Sequence, residues 1–321
     1  MTRLRLLADD LTGALDSAAR FVPLTGAVAV TWSDVAAAGS AAIDSGTRDM
    51  SPEWARKTVA ELALLLDGGE PAFKKIDSLL RGHVAVELAA CMRRFDHCVL
   101  APAFPFQGRI TRNGRQFVRD GEVWRDVGVD LSSELGARGI VANMRDAETD
   151  ADLDAIVAEG RRLAGRVLWC GTGGLAGALA GHRAVPRPVL PQPILALIGS
   201  DHSVSRAQVA AVPPDLHRSV VICDIPPATD RLQARERINR TFSAVLQRVE
   251  RPGTLFVTGG HTLRDLSDAL GVTRLDVDGE IEPGVPTSVM RGGAWDGQRV
   301  VSKSGAFGDT GFLAALLGET R

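Results

Sequence analysis

The sequence predicts an α/β protein of two domains, the first of them built on a parallel sheet. Three observations lead to this prediction. Short apolar runs alternate with helical patterns along the first half, a similar alternation resumes after residue 193, and a proline-rich segment separates the two. Strands that alternate with helices are typical of a parallel sheet covered by helices. A chain of 321 residues also suits two domains, since domains usually span about 100–200 residues.

In the first half, strands are predicted at the apolar runs 3–8, 27–32, 72–76, 97–101 and 166–170. Helical patterns cover 13–22, with Thr12 as a plausible N-cap, 52–66, with Pro52 in the first turn, and 78–94. Residues 105–130 are rich in Gly, Arg and Asn. Their short alternating runs predict a hairpin or an excursion from the sheet.

The boundary is placed at AVPRPVLPQP, residues 184–193, because four prolines in ten residues favour an extended linker. We therefore expect domains at 1–185 and 193–321. In the second domain, strands are predicted at 194–198, 219–224 and 254–258, and helices at 203–211, 229–249 and 262–270. A glycine-rich tail runs from 279 to 311.

Composition excludes several classes of protein. The formal charge is 37 − 39 = −2, without the basic excess of a nucleic-acid-binding domain. No run approaches the roughly 18 apolar residues of a membrane span, and Asp9 and Asp10 interrupt the N-terminus before a signal peptide could form. The four cysteines form no CxxC pair. We expect reduced thiols in a cytoplasmic protein that binds neither nucleic acid nor membrane.

Two adjacent carboxylates, Asp9 and Asp10, lie where the first strand ends and a helix begins. Ligands of open α/β sheets bind at the carboxyl ends of strands. There the two carboxylates could accept hydrogen bonds from substrate hydroxyls or take a proton from one. The alternative is that Asp10 or Thr12 only caps the helix.

The segment Lys74–His83 also follows a strand and opens a predicted helix. A helix N-terminus near Lys75 and Arg81 would form an anion site, with Asp77 or Ser78 as cap. An ordinary capped helix with a charged face is the alternative. After the strand at 97–101, Arg109 could reach the same cleft, although this segment could equally be a structured loop.

Three glycine-containing turns stand in the second half: Ile198–Ser200, Val257–Thr262 and Ser302–Asp309. Glycine lets a backbone approach phosphate closely, and its N–H groups form an anion nest. Lys303 could add a positive charge there, and Asp309 could hold Mg²⁺. Each turn could also be only a turn. The sequence has no Gly-Lys dipeptide and so lacks a Walker A loop.

Another glycine cluster, Gly171-Thr172-Gly173-Gly174-Leu175-Ala176, fits the dinucleotide-binding pattern GxGxxG/A. A Rossmann-type oxidoreductase is the function that this pattern would suggest. No well-placed acidic residue follows about 20 positions later to contact a ribose. Close packing of a helix on the sheet explains these glycines at least as well.

Taken in order, these segments resemble the four-carbon acid sugar kinase family. The matching pieces are LADDLTGALD (7–16), KKIDSLLRG (74–82), APAFPFQGR (101–109), GTGGLAGALA (171–180), IGSDHSVSRAQ (198–208), VTGGHT (257–262), GEIEPGVP (279–286) and SKSGAFGD (302–309). The resemblance implies a catabolic kinase that uses ATP to phosphorylate threonate, erythronate or their oxo forms. It implies an N-terminal sugar-acid-binding domain and a C-terminal nucleotide-binding domain.

Carried over residue by residue, the resemblance implies roles for both groups of side chains. Asp10, Lys75, Asp77, Ser78, Arg81 and Arg109 would face the sugar acid, and Ser200, Gly259, Gly260, His261, Thr262 and Gly305 would face ATP. Asp9 would join the first group as a substrate contact, and Lys303 the second. Asp10 or Asp77 would take the proton of the attacking hydroxyl, and Mg²⁺ would bridge the phosphates.

The chain also departs from the family. It is shorter, His261 stands where an acidic residue is expected, and Phe106 stands where a polar or small residue is common. A relative that binds sugar acid or nucleotide without catalysis is therefore the main alternative. The substrate's stereochemistry, the hydroxyl phosphorylated and the oligomeric state are left open, and a homo-oligomer is possible.

Overall fold

The computed structural model describes residues 3–33, 39–142, 144–223 and 230–318. Its chain divides into two units, Met1–Pro186 and Arg187–Arg321. Both units combine helices with a sheet, so the predicted α/β class is confirmed. The last residue of the predicted strand 219–224 and the first of the predicted helix 229–249 lie outside the described residues.

The first unit contains nine strands and six helices within the described ranges. In chain order these are β1 (Arg5–Ala8), α1 (Leu11–Thr25), β2 (Val28–Thr31), β3 (Ala41–Asp44), α2 (Pro52–Leu62), β4 (Ala72–Lys75), α3 (Val84–Cys91), β5 (His97–Ala101), β6 (Arg109–Arg112), β7 (Arg115–Asp120), β8 (Val123–Asp126), α4 (Leu131–Gly136), α5 (Asp150–Gly160), β9 (Val167–Gly171) and α6 (Gly173–Leu179). Six strands form a parallel sheet in the order β2-β3-β1-β4-β9-β5.

The strands of this sheet are apolar because helices cover them. Every residue of β1, β3 and β4 is buried, as expected for parallel strands. Helices α2, α3 and α4 supply one continuous core with Leu7, Val59, Leu88 and Leu135. Helix α1 packs against α6, and α6 against α5.

Two predicted helix starts in this unit are wrong. Helix α1 begins at Leu11 and is capped by Asp10 rather than by Thr12, since the Asp10 side chain accepts a hydrogen bond from Gly13 N–H. The helix predicted from residue 78 begins at Val84. The left-handed φ angles of Leu80 (56°) and Gly82 (84°) exclude a helix before that point. Helix α2 ends at Leu62 and continues as a short 3₁₀ turn over Ala63–Leu66.

The sequence analysis missed one strand of this unit, and it correctly predicted the segment that leaves the parallel sheet. The strand β3 was not predicted, although its four residues are apolar except the last, and it lies between β2 and β1 in the sheet. The predicted hairpin at 105–130 is confirmed as the antiparallel sheet β6-β7-β8. The four cysteines are free thiols, as expected.

The second unit contains six strands and four helices among its described residues. They are β10 (Ile194–Ile198), α7 (Ser203–Ala210), β11 (Val220–Ile222), α8 (Arg231–Leu246), β12 (Thr254–Thr258), α9 (Gly260–Ala269), β13 (Arg274–Glu280), β14 (Pro286–Arg291), β15 (Arg299–Lys303) and α10 (Phe312–Gly318). The strand order is β11-β10-β12-β15-β14-β13. The first four strands are parallel to one another. Strand β14 is antiparallel to both of its neighbours, β15 and β13.

The glycine-rich tail of the sequence is therefore not a loop. It carries β14, β15 and the end of β13, and the glycines lie mostly in the turns between and after these strands. The core of this unit joins β10, β12 and β15 to α10 through Ala196, Phe256, Val301 and Leu313.

The glycines of the 171–176 turn are explained by close packing. A Cβ atom at Gly171 would collide with the carbonyl oxygen of Ala101, and one at Gly174 would lie 2.5 Å from that of Ala103. The Thr172 hydroxyl donates to the same Ala103 carbonyl at 2.7 Å. Helix α6 thus starts directly against the chain that leaves β5. This packing removes the support that the motif gave to an oxidoreductase.

We predict that Gly174→Ala lowers the free energy of unfolding by about 1–3 kcal/mol, because the added methyl overpacks a backbone contact. Urea denaturation measures the change. Gly136→Ala is the matched control, since a Cβ atom at Gly136 meets nothing within 4 Å. The control should change stability by less than about 1 kcal/mol. Equal effects of the two substitutions would contradict the packing explanation.

Candidate functional site

Several polar segments of the first unit meet because three neighbouring strands end level with one another. Ala8, the last residue of β1, pairs with Asp44 at the end of β3 and with Lys75 at the end of β4. Asp9 and Asp10 follow β1, and Asp77 follows β4. The carboxyl edge of the sheet therefore brings these carboxylates together, as expected for a ligand site in an open α/β sheet.

Arg48, in the loop after β3, contacts all three carboxylates. Its Nε and Nη2 atoms donate to the two Asp9 oxygens at 2.7 and 2.8 Å. Nη2 also lies 2.7 Å from Oδ1 of Asp10, and Nη1 lies 3.6 Å from Oδ1 of Asp77. Asp9 and Arg48 are largely buried, whereas 22% of the Asp10 side chain is exposed. Asp10 is thus the most accessible of the three carboxylates.

Asp77 organises the loop that replaces the predicted helix start. Its Oδ2 atom accepts hydrogen bonds from the backbone N–H groups of Leu79 and Arg81 at 3.1 and 3.2 Å. The Arg81 guanidinium donates to both Asp77 oxygens at 2.8 Å through Nε and Nη2. This bidentate pair is strong and geometrically specific. The Arg81 side chain is otherwise 60% exposed.

The charges of the arginines control the protonation of these carboxylates. Burial alone would raise the pKa of Asp77, but the hydrogen bond to Arg81 and the charge of Arg48 lower it far below its usual range. Burial likewise opposes ionisation of Asp9, and Arg48 outweighs it, so the pKa of Asp9 is also lowered. Both groups are therefore carboxylates at neutral pH.

Asp16, one turn into α1, behaves in the opposite way. Burial raises the pKa of Asp16 to about 6, although the positive charge of Lys75 partly counters this effect. The Ser17 hydroxyl donates to Asp16 at 2.7 Å. Sequence reasoning missed both Asp16 and Arg48. Arg48 could have been found by its position after a short apolar run, at the same edge as Asp9.

The remaining predicted sugar-acid residues lie around this group. The Lys75 ammonium lies beside the first turn of α1, since a Cβ atom at Gly13 would be 2.6 Å from its Nζ. Ser78 is buried, and its carbonyl accepts from Gln116 at 3.0 Å. Arg109 is buried at the start of β6, close enough for the charges of Asp77 and Arg81 to act on its pKa, which burial lowers.

Lys74, the neighbour of Lys75, points elsewhere. Its Nζ atom lies 2.7 Å from Oε2 of Glu87, and both side chains are buried. The Thr47 hydroxyl donates to the other Glu87 oxygen at 2.6 Å. The two adjacent lysines therefore lie in different surroundings, because successive side chains of a strand point to opposite faces of the sheet.

In the second unit, three glycine turns lie side by side. Strands β10, β12 and β15 are adjacent and parallel, and Ile198, Thr258 and Lys303 pair at their ends. The turns that follow carry Ser200, Gly259 and Gly305. A Cβ atom at Gly305 would collide with the Ser200 hydroxyl, and one at Gly199 with the Thr262 hydroxyl. These turns can approach one another only because the positions are glycine.

The β12 turn leads directly into α9. Gly259 has a φ of 97°, a value that favours glycine, and it is the N-cap of the helix without a side-chain cap. Its own N–H donates to the Lys303 carbonyl at 3.0 Å. Gly260 and His261 begin α9; the histidine is exposed and Thr262 is buried. The first N–H groups of α9, which have no acceptor within the helix, therefore belong to the same edge as the three turns.

Lys303 holds the third turn in shape. Its Nζ atom donates to the carbonyls of Ser304 and Phe307 at 3.0 and 2.8 Å, and the residue is 1% exposed. Burial lowers the pKa of Lys303 to about 8, which the charge of Glu282 partly opposes. Ser205 supports the same turn by donating to the Gly305 carbonyl at 2.8 Å.

Asp309 ends the third glycine turn and lies in the wall of a cavity of about 320 Å³. The cavity is lined by Arg187, Ile281, Glu282, Asp309, Gly311, Phe312, Ala315 and Leu316. Burial and the charge of Asp309 raise the pKa of Glu282. Among the described residues, no group of three or more His, Cys, Asp and Glu side chains could hold a metal ion.

None of the helices in the described ranges is both long enough and apolar enough to cross a membrane.

Two solved structures share the fold over nearly the whole chain. A protein of Salmonella typhimurium LT2 is 20% identical with a TM-score of 0.76, and the match covers 100% of both chains. A protein of Haemophilus influenzae is 19% identical with a TM-score of 0.64, over 96% of this chain and 98% of the other.

The curated relatives that match this chain are named as sugar-acid kinases. A D-threonate kinase of Cupriavidus necator is 30% identical over 399 aligned positions, covering 96% of this chain and 95% of the relative. A D-erythronate kinase of Heliobacterium modesticaldum is 26% identical over 78% of this chain and 69% of the relative.

Two family models match in the order that the fold suggests. Residues 4–131 match a sugar-binding N-terminal domain, and residues 217–313 match a nucleotide-binding C-terminal domain. The first match contains the carboxylate and arginine group, and the second contains the turns of β12 and β15. Together with the curated relatives, these matches show that the chain belongs to the four-carbon acid sugar kinase family.

Proposed function

We propose that this protein transfers the γ-phosphoryl group of ATP to a hydroxyl of a four-carbon sugar acid, such as threonate or erythronate, in carbohydrate catabolism. One observation carries the proposal: the carboxylates Asp9, Asp10 and Asp77 meet two arginines, Arg48 and Arg81, at the carboxyl edge of the domain that matches sugar-binding relatives. Carboxylates accept bonds from sugar hydroxyls, and arginines bind a substrate carboxylate.

The sugar acid is anchored through its own carboxylate. Arg81 uses Nε and Nη2 for Asp77 and leaves the rest of an exposed guanidinium available. We assign the substrate carboxylate to this exposed edge of Arg81, with Lys75, Ser78 and Arg109 nearby. Asp9 is buried, and both of its oxygens accept hydrogen bonds from Arg48. It would hold Arg48 in place, and it would contact a substrate hydroxyl only through an oxygen that Arg48 already binds.

Asp10 is the better candidate for the base that accepts the proton of the attacking hydroxyl. It is the most exposed of the three carboxylates, and within the described ranges its ion pair is with Arg48 alone. Asp77 is held by a bidentate arginine, which lowers its pKa and makes it a weak base. Phosphoryl transfer depends mainly on positioning and charge, so the accessibility of Asp10 to the attacking hydroxyl is the property that matters.

ATP would bind on the glycine turns of the second unit. The backbone at Gly259, Gly260 and Gly305 allows phosphate oxygens to approach closely, and the first N–H groups of α9 favour negative charge. The hydroxyls of Ser200 and Thr262 lie at the same turns. His261 would face the nucleotide from the exposed first turn of α9. Lys303 would support the third turn from within and add its positive charge.

Mg²⁺ would enter with the nucleotide. It usually keeps several waters and takes only one or two carboxylates in addition to the phosphates. Asp309, with Glu282 beside it, fits that limited requirement. Bound there, the ion would neutralise charge on the phosphates.

A coupled ADP-release assay tests the proposed function. With Mg-ATP and a panel of threonate, erythronate and their oxo forms, we expect release that depends on one of these acids. Activity with none of them, while calorimetry still detects ATP, would contradict a four-carbon acceptor. Absence of both turnover and ATP binding would support a non-catalytic relative instead.

The two candidate bases can be separated by substitution. We predict that Asp10→Asn lowers kcat by about 10²–10⁴-fold with little change in the KM for the sugar acid. Asp77→Asn should mainly raise that KM, because Arg81 loses its bidentate partner. Asp120→Asn, which removes an exposed ion pair with Arg125, is the control and should leave both constants unchanged. Near-normal kcat in Asp10→Asn would exclude Asp10 as the base.

Lys303 gives a prediction about stability and pH. In the folded protein its proton is released near pH 8, whereas the unfolded chain keeps it until about pH 10.5. The unfolded state binds more protons between these values, so the Lys303 contribution to the free energy of unfolding rises with pH across that window. Relative to Lys303→Met, wild type should gain up to about 3 kcal/mol from pH 8 to 10.5.

Urea denaturation at pH 7, 8.5 and 10 measures this difference. Lys57→Met replaces an exposed lysine of α2 and is the control, for which we expect a difference from wild type that does not depend on pH. If Lys303→Met behaves like the control, the buried position of the ammonium is wrong.

A further inference from the structure

Arg48 is placed to act on carboxylates rather than on substrate. Each of its three guanidinium nitrogens faces an aspartate: Nε and Nη2 bond to Asp9, Nη2 also contacts Asp10, and Nη1 faces Asp77. Only 14% of the side chain is exposed. A substrate carboxylate would have to displace one of these aspartates. The exposed edge of Arg81 offers an easier position.

The carboxylates need such a partner. Buried ionised groups are stable only when they are paired and hydrogen-bonded. Arg81 neutralises Asp77, but among the ion pairs of the described residues, Asp9 and Asp10 are paired with Arg48 alone. The charged groups that act on this cluster come from three parts of the unit: Asp9, Asp10 and Asp16 after β1 and in α1, Lys74, Lys75, Asp77 and Arg81 in β4 and its loop, and Arg109 at the start of β6.

A buried network fixes the segment that carries Arg48. The backbone N–H of Arg48 donates to the Asp9 carbonyl at 3.2 Å. The Ser45 hydroxyl donates to the Ala8 carbonyl at 2.8 Å and shares a hydrogen bond with the Thr47 hydroxyl. Thr47 in turn donates to Glu87, whose charge is balanced by Lys74. These contacts join the loop after β3 to β1, β4 and α3.

We propose that Arg48 is a positioning residue of the sugar-acid site, which holds Asp9, Asp10 and Asp77 together as carboxylates and is itself set in place by the Thr47–Glu87–Lys74 network. The inference rests on the proposed kinase function for its kinetic readout only. Without Arg48, the three carboxylates would repel one another and at least one would bind a proton at higher pH.

The first experiment is the dependence of kcat on pH between 5 and 9 in the full-length protein. For Arg48→Gln we expect kcat to fall about 100-fold or more at pH 6, and the acidic limb of the profile to move up by about one pH unit or more. Arg48→Lys should restore part of the shift, because it returns the charge. A uniform loss of kcat, with the limb unmoved, would overturn the proposal.

Arg112→Gln is the matched control. Arg112 forms a bidentate pair with Glu148, at 2.7 and 2.6 Å, on the surface, and it has no part in the site. Its kcat profile should match that of wild type. An equal shift in this control would show that any lost arginine alters the profile, and would also overturn the proposal.

The second experiment does not need kinase activity. Because Arg48 lowers the pKa of Asp9 and Asp77 in the folded state, their stabilising contribution is present above the unfolded pKa near 4 and is lost as pH falls through the folded values. The stability advantage of wild type over Arg48→Gln should therefore shrink as pH falls below about 4. An advantage that does not change with pH would contradict the role of Arg48.

Thr47→Val provides a variant that leaves every carboxylate and Arg48 in the chain. It removes the hydroxyl that donates to Glu87, and we expect a smaller shift of the acidic limb in the same direction, with Thr47→Ser close to wild type. If Arg48→Gln does not fold, the comparison of Thr47→Val with Thr47→Ser tests the proposal instead. Identical pH profiles of kcat for these two variants would contradict the role of the Thr47–Glu87–Lys74 network. A stability effect without any sugar-acid kinase activity would retain Arg48 and reject the proposed function.

Discussion

The first domain depends on compensating several carboxylates that lie together below the surface. Asp9 and Asp77 are buried and ionised, which is costly unless positive charge lies within a few ångströms. Arg48 and Arg81 meet that need from two different loops. The parallel sheet makes this possible, since β3, β1 and β4 end at the same level. The site is therefore a balance of charges that no single segment of the chain contains.

The second domain uses a different principle. Its turns after β10, β12 and β15 approach closely because glycine replaces side chains at the contacts, and the positive charge of Lys303 lies within the third turn. Backbone N–H groups and small hydroxyls then define the surface. Such a surface can bind phosphate without the Gly-Lys loop that the sequence lacks. The two domains thus present side-chain charge in one case and backbone geometry in the other.

The use of lysine supports this division. The chain has only four lysines, at positions 57, 74, 75 and 303, among 37 basic residues. Three of the four are buried, beside the carboxylate group or within the third glycine turn. Arginine supplies most of the surface ion pairs, for example Arg112 with Glu148. Lysine in this chain is therefore used mostly at buried positions, with the exposed Lys57 as the exception.

The sequence by itself determined the α/β class, the proline-rich region between the two units, the β6–β8 excursion and the segments that carry polar groups. These features depend on local pattern and turn chemistry. The sequence did not determine where α3 begins, because the bonds of Asp77 to the backbone and to Arg81 outweigh helical propensity. Nor did it reveal Arg48, since its partners lie 39, 38 and 29 residues away (48 − 9, 48 − 10 and 77 − 48). Only the order of strands in the folded sheet brings those charges together.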